Sequence, residues 1–218
     1  MKISLQINGL MTDAWYDDDE VENVHKPLLR HLATLNAKTP ERRTVIFLSA
    51  PPGTGKSTLT TFWEYLSRND PELPTIQTLP MDGFHHYNCW LDEHELRAAK
   101  GAPETFNVEK LASNLRQLHE QNATWPQYDR QRQMCIRDRQ YCDYSLFIRA
   151  PADVLRGRLI ARKQAGGLSE EQAQIFFDRT DGPNVCRVLE NSLPASLTLE
   201  MTAKGEYRLA QALPDEPQ

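Results

Sequence analysis

The stretch Val45-Ile-Phe-Leu-Ser-Ala-Pro-Pro-Gly-Thr-Gly-Lys-Ser-Thr58 constrains this chain more than any other. An apolar run suited to a buried strand meets a Gly/Pro-rich turn. Lys-Ser-Thr then heads a helical pattern formed by Leu59, Phe62, Trp63 and Leu66. The turn fits the phosphate-binding loop, with Ala50 at the first position, where Gly is commoner. Glycines at 53 and 55 let backbone N–H groups curl around an anion without a Cβ in the way. The following helix points its partial positive end at the same place. Pro52, Gly53, Thr54, Gly55, Lys56, Ser57 and Thr58 are therefore the expected nucleotide-binding residues. Lys56 is suited to the β- and γ-phosphates and the Ser57 hydroxyl to Mg2+. An incidental lysine in a Gly/Pro turn would not come with the flanking strand and helix. The pattern implies a bound nucleoside triphosphate, ATP with Mg2+.

A chain of 218 residues suits one main domain with a full core. Its formal charge of −5 argues against a general nucleic-acid binder, whose surface would be basic. No apolar run is long enough to cross a bilayer and no signal-peptide core stands at the N-terminus, so a cytoplasmic protein without a membrane partner is expected. Cys89, Cys135, Cys142 and Cys186 lack paired metal spacing and read as reduced thiols.

Residues 2–10 alternate apolar and polar and read as a strand ending in an Asn8-Gly9 turn. The acidic run Asp17–Glu20 then opens a helical pattern through Val21, Val24, Leu28, Leu29, Leu32 and Leu35, and reads as a solvated helix start rather than a metal site. The sequence thus predicts a small strand-helix appendage over 1–40. A three-layer α/β domain with a doubly wound parallel sheet follows over 41–213, with a frayed tail at 214–218.

Thr75–Leu79 reads as a short strand delivering Met81-Asp-Gly-Phe-His-His-Tyr87. A carboxylate just past a strand end lies on the ligand-binding edge of a parallel sheet, so Asp82 is placed to take a proton from an attacking hydroxyl. A plain Asp-Gly turn accounts for the same residues equally well. His85 and His86, being adjacent, suit polar groups of a substrate pocket better than a shared metal. Asn107 is a plausible N-cap for a helix burying Leu111, Leu115 and Leu118. Further on, Asp143–Ile148 reads as a buried strand, and Ala195–Leu199 as the last main one. Arg158 and Arg162 stand four apart on one helix face before a Gly166-Gly167 hinge. That arrangement suits a lid closing on phosphates, or a solvated basic helix.

Taken together, Ala50–Thr58, Met81–His86, Lys100-Gly-Ala-Pro-Glu-Thr-Phe106, Pro126-Gln-Tyr-Asp129 and the Arg158/Arg162 helix resemble the phosphoribulokinase/uridine kinase/pantothenate kinase group, and within it the YggC branch, over nearly the whole chain. The loop motif alone is broad; the ordered set is far more specific. The resemblance implies an ATP-dependent kinase acting on a hydroxyl of a nucleoside-, sugar- or pantothenate-like acceptor. It implies that Asp82 is the catalytic base, that Arg158 and Arg162 sit in a lid, and that Tyr128 and Asp129 border the acceptor pocket. Phe84 and His85 are expected in the same substrate pocket, and Lys56 with the lid arginines is expected to offset charge on the transferred group. A nucleotide-dependent switch without an acceptor is the other reading, and a homo-oligomer is compatible with either. Asn107 stands where the group usually carries Asp.

The resemblance breaks at Gln131–Gln140. It implies roughly thirty more residues here, including a central strand that ends in an acidic motif whose carboxylate helps hold magnesium. Met134-Cys-Ile-Arg-Asp-Arg139 stands instead. Those six residues are the translation of a transposon-end sequencing adapter (ATG TGT ATA AGA GAC AG). The expectation is therefore a junction between two true fragments, with a core strand lost; a natural short loop is the other reading.

Overall fold

The computed structural model describes residues 1–7, 10–38, 40–97, 102–118 and 142–213. The Asn8-Gly9 turn, Lys100-Gly101, Tyr128, Asp129, Cys135, the Met134–Arg139 junction and the tail all lie outside the described residues. The chain forms two compact units. One holds Met1–Phe47, Ser57–Tyr144 and Leu213–Gln218; the other holds Leu48–Lys56 and Ser145–Ala212.

In the first unit, β1 (Lys2–Ile7) pairs antiparallel with β2 (Leu10–Trp15), so the predicted N-terminal strand is half of a hairpin. The acidic run does start a helix. Asp17 caps α1 (Asp18–Glu20) by accepting from the Asp19 N–H, and a π-helical turn (Val21–His25) carries it into α2 (Lys26–Ala37). Glu20, at the end of that run, is nonetheless buried. Its carboxylate sits 3.1 Å from His25 Nε2, and the Trp63 indole N–H donates to His25 Nδ1 at 3.1 Å. An indole nitrogen can only donate, so Nδ1 accepts and the Nε2 proton goes to Glu20. Tyr16 stacks on Phe62 at 3.7 Å, and His25 meets both rings edge-on.

Helix α3 (Lys56–Asn69) buries Leu59, Phe62, Trp63 and Leu66, the face its spacing predicts. Thr75–Leu79, predicted as a strand, has no strand pairing among the described residues. Its N–H groups are taken by α3 instead: Ile76 donates to Ser67 Oγ and Thr78 to the Glu64 carboxylate. Beyond it come α4 (Asn88–Glu93) and α5 (Val108–Leu118). Asn107 caps α5 as expected, its Oδ1 accepting from Lys110 N–H at 2.9 Å. Leu111, Leu115 and Leu118 join Phe84 and Phe106 in a core cluster, with Val45, Phe47, Leu79 and Met81 packed against it.

A four-stranded sheet runs in the order β3 (Ile46–Ser49), β4 (Tyr144–Arg149), β5 (Leu197–Met201), β6 (Tyr207–Leu209). β4 and β5 are parallel; β6 turns back antiparallel. Leu146, Phe147 and Ile148 are consecutive and all buried, as in a strand covered on both faces. At the entry to β3, Arg42 forks onto the Asp143 carboxylate, which also accepts from Val45 N–H at 2.7 Å. The second unit is completed by α6 (Ala152–Ala165), α7 (Glu170–Phe176), a π-helical turn (Phe177–Asp181) and α8 (Gly182–Asn191). A Ser169/Gln172 capping box starts α7.

The buried Glu20–His25–Trp63 chain yields a stability prediction. Trp63→Phe keeps an aromatic ring but removes the indole donor and some buried ring volume, so it is expected to cost at least about 1–3 kcal/mol. A urea midpoint unchanged from the parent would show that the hydrogen bond contributes nothing.

Candidate functional site

The loop between β3 and α3 has the backbone that its sequence demands. Gly53 and Gly55 both adopt left-handed conformations, φ +90° and +80°. A Cβ on Gly53 would lie 3.0 Å from Leu159 Cγ and 3.4 Å from Leu155, both fully buried on α6. Thr54 between them is 1% exposed, its hydroxyl donating to Pro51 O at 3.0 Å. Its carbonyl accepts a 2.6 Å bond from the Tyr207 hydroxyl. Beside it, a Cβ on Gly55 would lie 3.3 Å from Arg158 Nη2. Lys56 heads α3, whose first N–H groups have no intrahelical partner. These features fit a phosphate chain: no Cβ fills the turn, and a lysine and a hydroxyl follow at the helix start. Ser57 is exposed and available to a cation.

Asp82 lies on a 3₁₀ turn (Met81–Phe84) in the other unit and is half-buried. The residues after it are more enclosed than a pocket lining requires. Phe84 is 1% exposed, within the core cluster. His85 is buried, stacked on Phe106 at 3.7 Å, with Nδ1 3.1 Å from the Thr105 carbonyl and hydroxyl. An isolated bridge joins His85 to Phe106, and Asn107 N–H donates to Phe84 O. The Asp82 turn is thus pinned to the Thr105–Asn107 segment. His86 points elsewhere, stacking on Trp90, whose ring also stacks with His94. Burial, with His94 nearby, pushes the His86 imidazole pKa down. No group of three or more His, Cys, Asp or Glu suited to a metal occurs among the described residues.

Arg158 and Arg162 lie exposed on α6, as their spacing predicts. Gly166 ends the helix and Gly167 is left-handed, φ +98°. Lys163 sits 3.4 Å over the Phe176 ring, and desolvation lowers its pKa. Desolvation raises the pKa of Asp181, which is 7% exposed, against the opposing pull of Lys163 and Arg162. Tyr207 is the residue here that sequence reasoning did not single out, because nothing local links it to Thr54, 153 positions earlier.

Fold and loop together define an α/β protein of the P-loop kinase group. A proposed fructose transport system kinase from Silicibacter sp. TM1040, known from its crystal structure, matches with a TM-score of 0.71 at 26% identity, covering 80% of this chain and 98% of that one. The uncharacterized protein YggC of Escherichia coli (strain K12) is 57% identical over 233 residues, covering 95% of this chain and 98% of its own length. The chain belongs to the YggC family. A pantothenate kinase of Myxococcus xanthus (strain DK1622) is 29% identical over 117 residues, covering 47% of this chain and 37% of that protein. No family model matches the chain. Since 95% of 218 residues is about 207, about 26 of the 233 positions aligned with YggC fall opposite gaps in this chain. That is close to the size of the segment the resemblance implies is missing.

Asp181 carries a pH prediction. Its folded pKa is raised above 3.8, so keeping it charged costs stability that is regained as pH falls toward that value. Asp181→Asn is expected to raise Tm at about pH 7 and to have little effect near pH 3.5. An equal Tm difference at both pH values would contradict this assignment.

Proposed function

We propose that the chain is an ATP-dependent kinase that phosphorylates a hydroxyl of a small metabolite in the cytoplasm. The left-handed Gly53 and Gly55 immediately ahead of Lys56 and α3 carry this reading. The kinase names of the Myxococcus and Silicibacter proteins support it. In this reading the backbone N–H groups of Gly53, Thr54 and Gly55 hold the phosphates, and Lys56 offsets their charge. The Ser57 hydroxyl would hold Mg2+, which neutralises phosphate charge when bound. Asp82 accepts the proton of the attacking hydroxyl, and the buried Phe84 and His85 fix its turn rather than touch the acceptor. Arg158 and Arg162 stabilise the charge that develops on the transferred group. Tyr128 and Asp129 border the acceptor, as the resemblance implies. Positioning and electrostatics carry such a transfer, so no covalent enzyme intermediate forms. The acceptor class is an alcohol: a nucleoside, a sugar or a pantothenate-like compound.

The gap of about 26 positions against YggC favours a second reading, a nucleotide-binding regulator without an acceptor. One variant separates the two. Asp82→Asn is expected to lower phosphoryl transfer to an acceptor panel by about 10²- to 10⁴-fold while leaving the affinity for MgATP unchanged. Loss of MgATP binding as severe as in Lys56→Ala would remove Asp82 from the base role. ATP consumption that no acceptor increases would favour the regulator or a bare hydrolase.

A further inference from the structure

We propose that the β5–β6 turn is a working part of the phosphate loop, with Tyr207 and Gly205 as positioning residues for Gly55 and Arg158. The inference rests on the nucleotide-binding reading of the loop and extends it to a segment that the motif does not contain.

The first observation is the 2.6 Å hydrogen bond from the Tyr207 hydroxyl to the Thr54 carbonyl, in a buried setting. A trans peptide is planar, with its C=O and N–H pointing opposite ways. The Thr54 carbonyl shares its plane with the Gly55 N–H. Holding that oxygen toward Tyr207 therefore aims the Gly55 N–H away from Tyr207. A left-handed glycine has no side chain to resist rotation of its peptides, so the orientation has to come from outside the loop. Tyr207 supplies it. The ring is 5% exposed on β6, which gives the hydroxyl a fixed mounting.

The second observation concerns Arg158. Its guanidinium is flanked by two glycine backbones: Nη2 lies 3.3 Å from where a Cβ on Gly55 would be, and Nη1 lies 3.0 Å from where one on Gly205 would be. A side chain at either position would crowd the guanidinium, which would have to shift by a few tenths of an ångström; at Gly55 it would also meet the Tyr207 hydroxyl, 3.2 Å away. Gly205 is left-handed at φ +89°. Its turn is closed by its own backbone, with Gly205 N–H donating to Thr202 O at 2.9 Å and Thr202 N–H to Glu206 O at 2.8 Å. A rigid turn thus forms one wall of the slot and the phosphate loop the other. The Arg158 side chain stays exposed overall, so its charge remains open to an anion at the loop. Arg158 is braced at the loop before any helix moves, which differs from an arginine carried in by a closing lid.

The test is a calorimetric titration of MgATP into the full chain, its single variants and one double variant. Tyr207→Phe keeps the ring and loses the hydroxyl, and is expected to weaken MgATP about 3- to 10-fold. Gly205→Asn tolerates the left-handed backbone but places a Cβ against Arg158 Nη1, and is expected to weaken MgATP only while Arg158 is present. In the Arg158→Gln background Gly205→Asn should then add no further loss, the signature of two residues acting through one interaction. Equal losses from Gly205→Asn in both backgrounds, or parent-like affinity in Tyr207→Phe, would overturn the proposal. Should Gly205→Asn fail to fold, Tyr207→Phe decides alone. Parent-like binding in Lys56→Ala would bring down the loop reading itself, an outcome distinct from failure of the turn's role.

Discussion

A loop that binds an anion through its backbone must hold several N–H groups turned inward, and no ordinary side chain permits that at every position. Here the demand falls on Gly53 and Gly55, both left-handed. The walls around them follow from it. Leu155 and Leu159 fill the space under Gly53, Tyr207 holds the Thr54 carbonyl, and Arg158 lies against Gly55. The buried leucines of α6 therefore have two roles, packing the core of the second unit and leaving no room for a side chain at Gly53.

The first unit shows the same economy with polar groups. Glu20, His25 and Trp63 are buried together and hydrogen-bond to one another in a fixed order. Asp143 satisfies Arg42 and the Val45 N–H at once. The sheet is less complete. β3 is the end strand of the described sheet, and Ile46, Phe47 and Leu48 are only half-buried, whereas a parallel strand flanked on both sides is covered on both faces. Thr75–Leu79 turns its N–H groups to α3 side chains. About 26 positions of YggC have no counterpart in this chain.

The strand, glycine turn and helix around Gly53 and Gly55 were legible because their pattern is local, lying within fourteen consecutive residues. Helix faces such as Leu59, Phe62, Trp63 and Leu66 were legible for the same reason. Thr75–Leu79 was misread because composition alone suggested a strand, while a strand also needs a neighbour to pair with, and none pairs with it among the described residues. β2 was missed because its side chains at Met11 and Trp15 are exposed, which blurs the pattern that marks a half-buried strand. Glu20 was read as solvated because its acidic neighbours are; its partner His25 lies one helical turn on and its further contact, Trp63, lies in α3. Tyr207 was invisible for a deeper reason: its role is set by a carbonyl far away in sequence, and carbonyls carry no sequence signature.

The central claim is that the backbone of this loop holds the phosphates of a nucleotide. The most direct measurement is amide hydrogen exchange across Gly53–Thr58 with and without MgATP. The account predicts marked slowing at these amides on addition of MgATP. Exchange there that is unaffected at saturating nucleotide would contradict it.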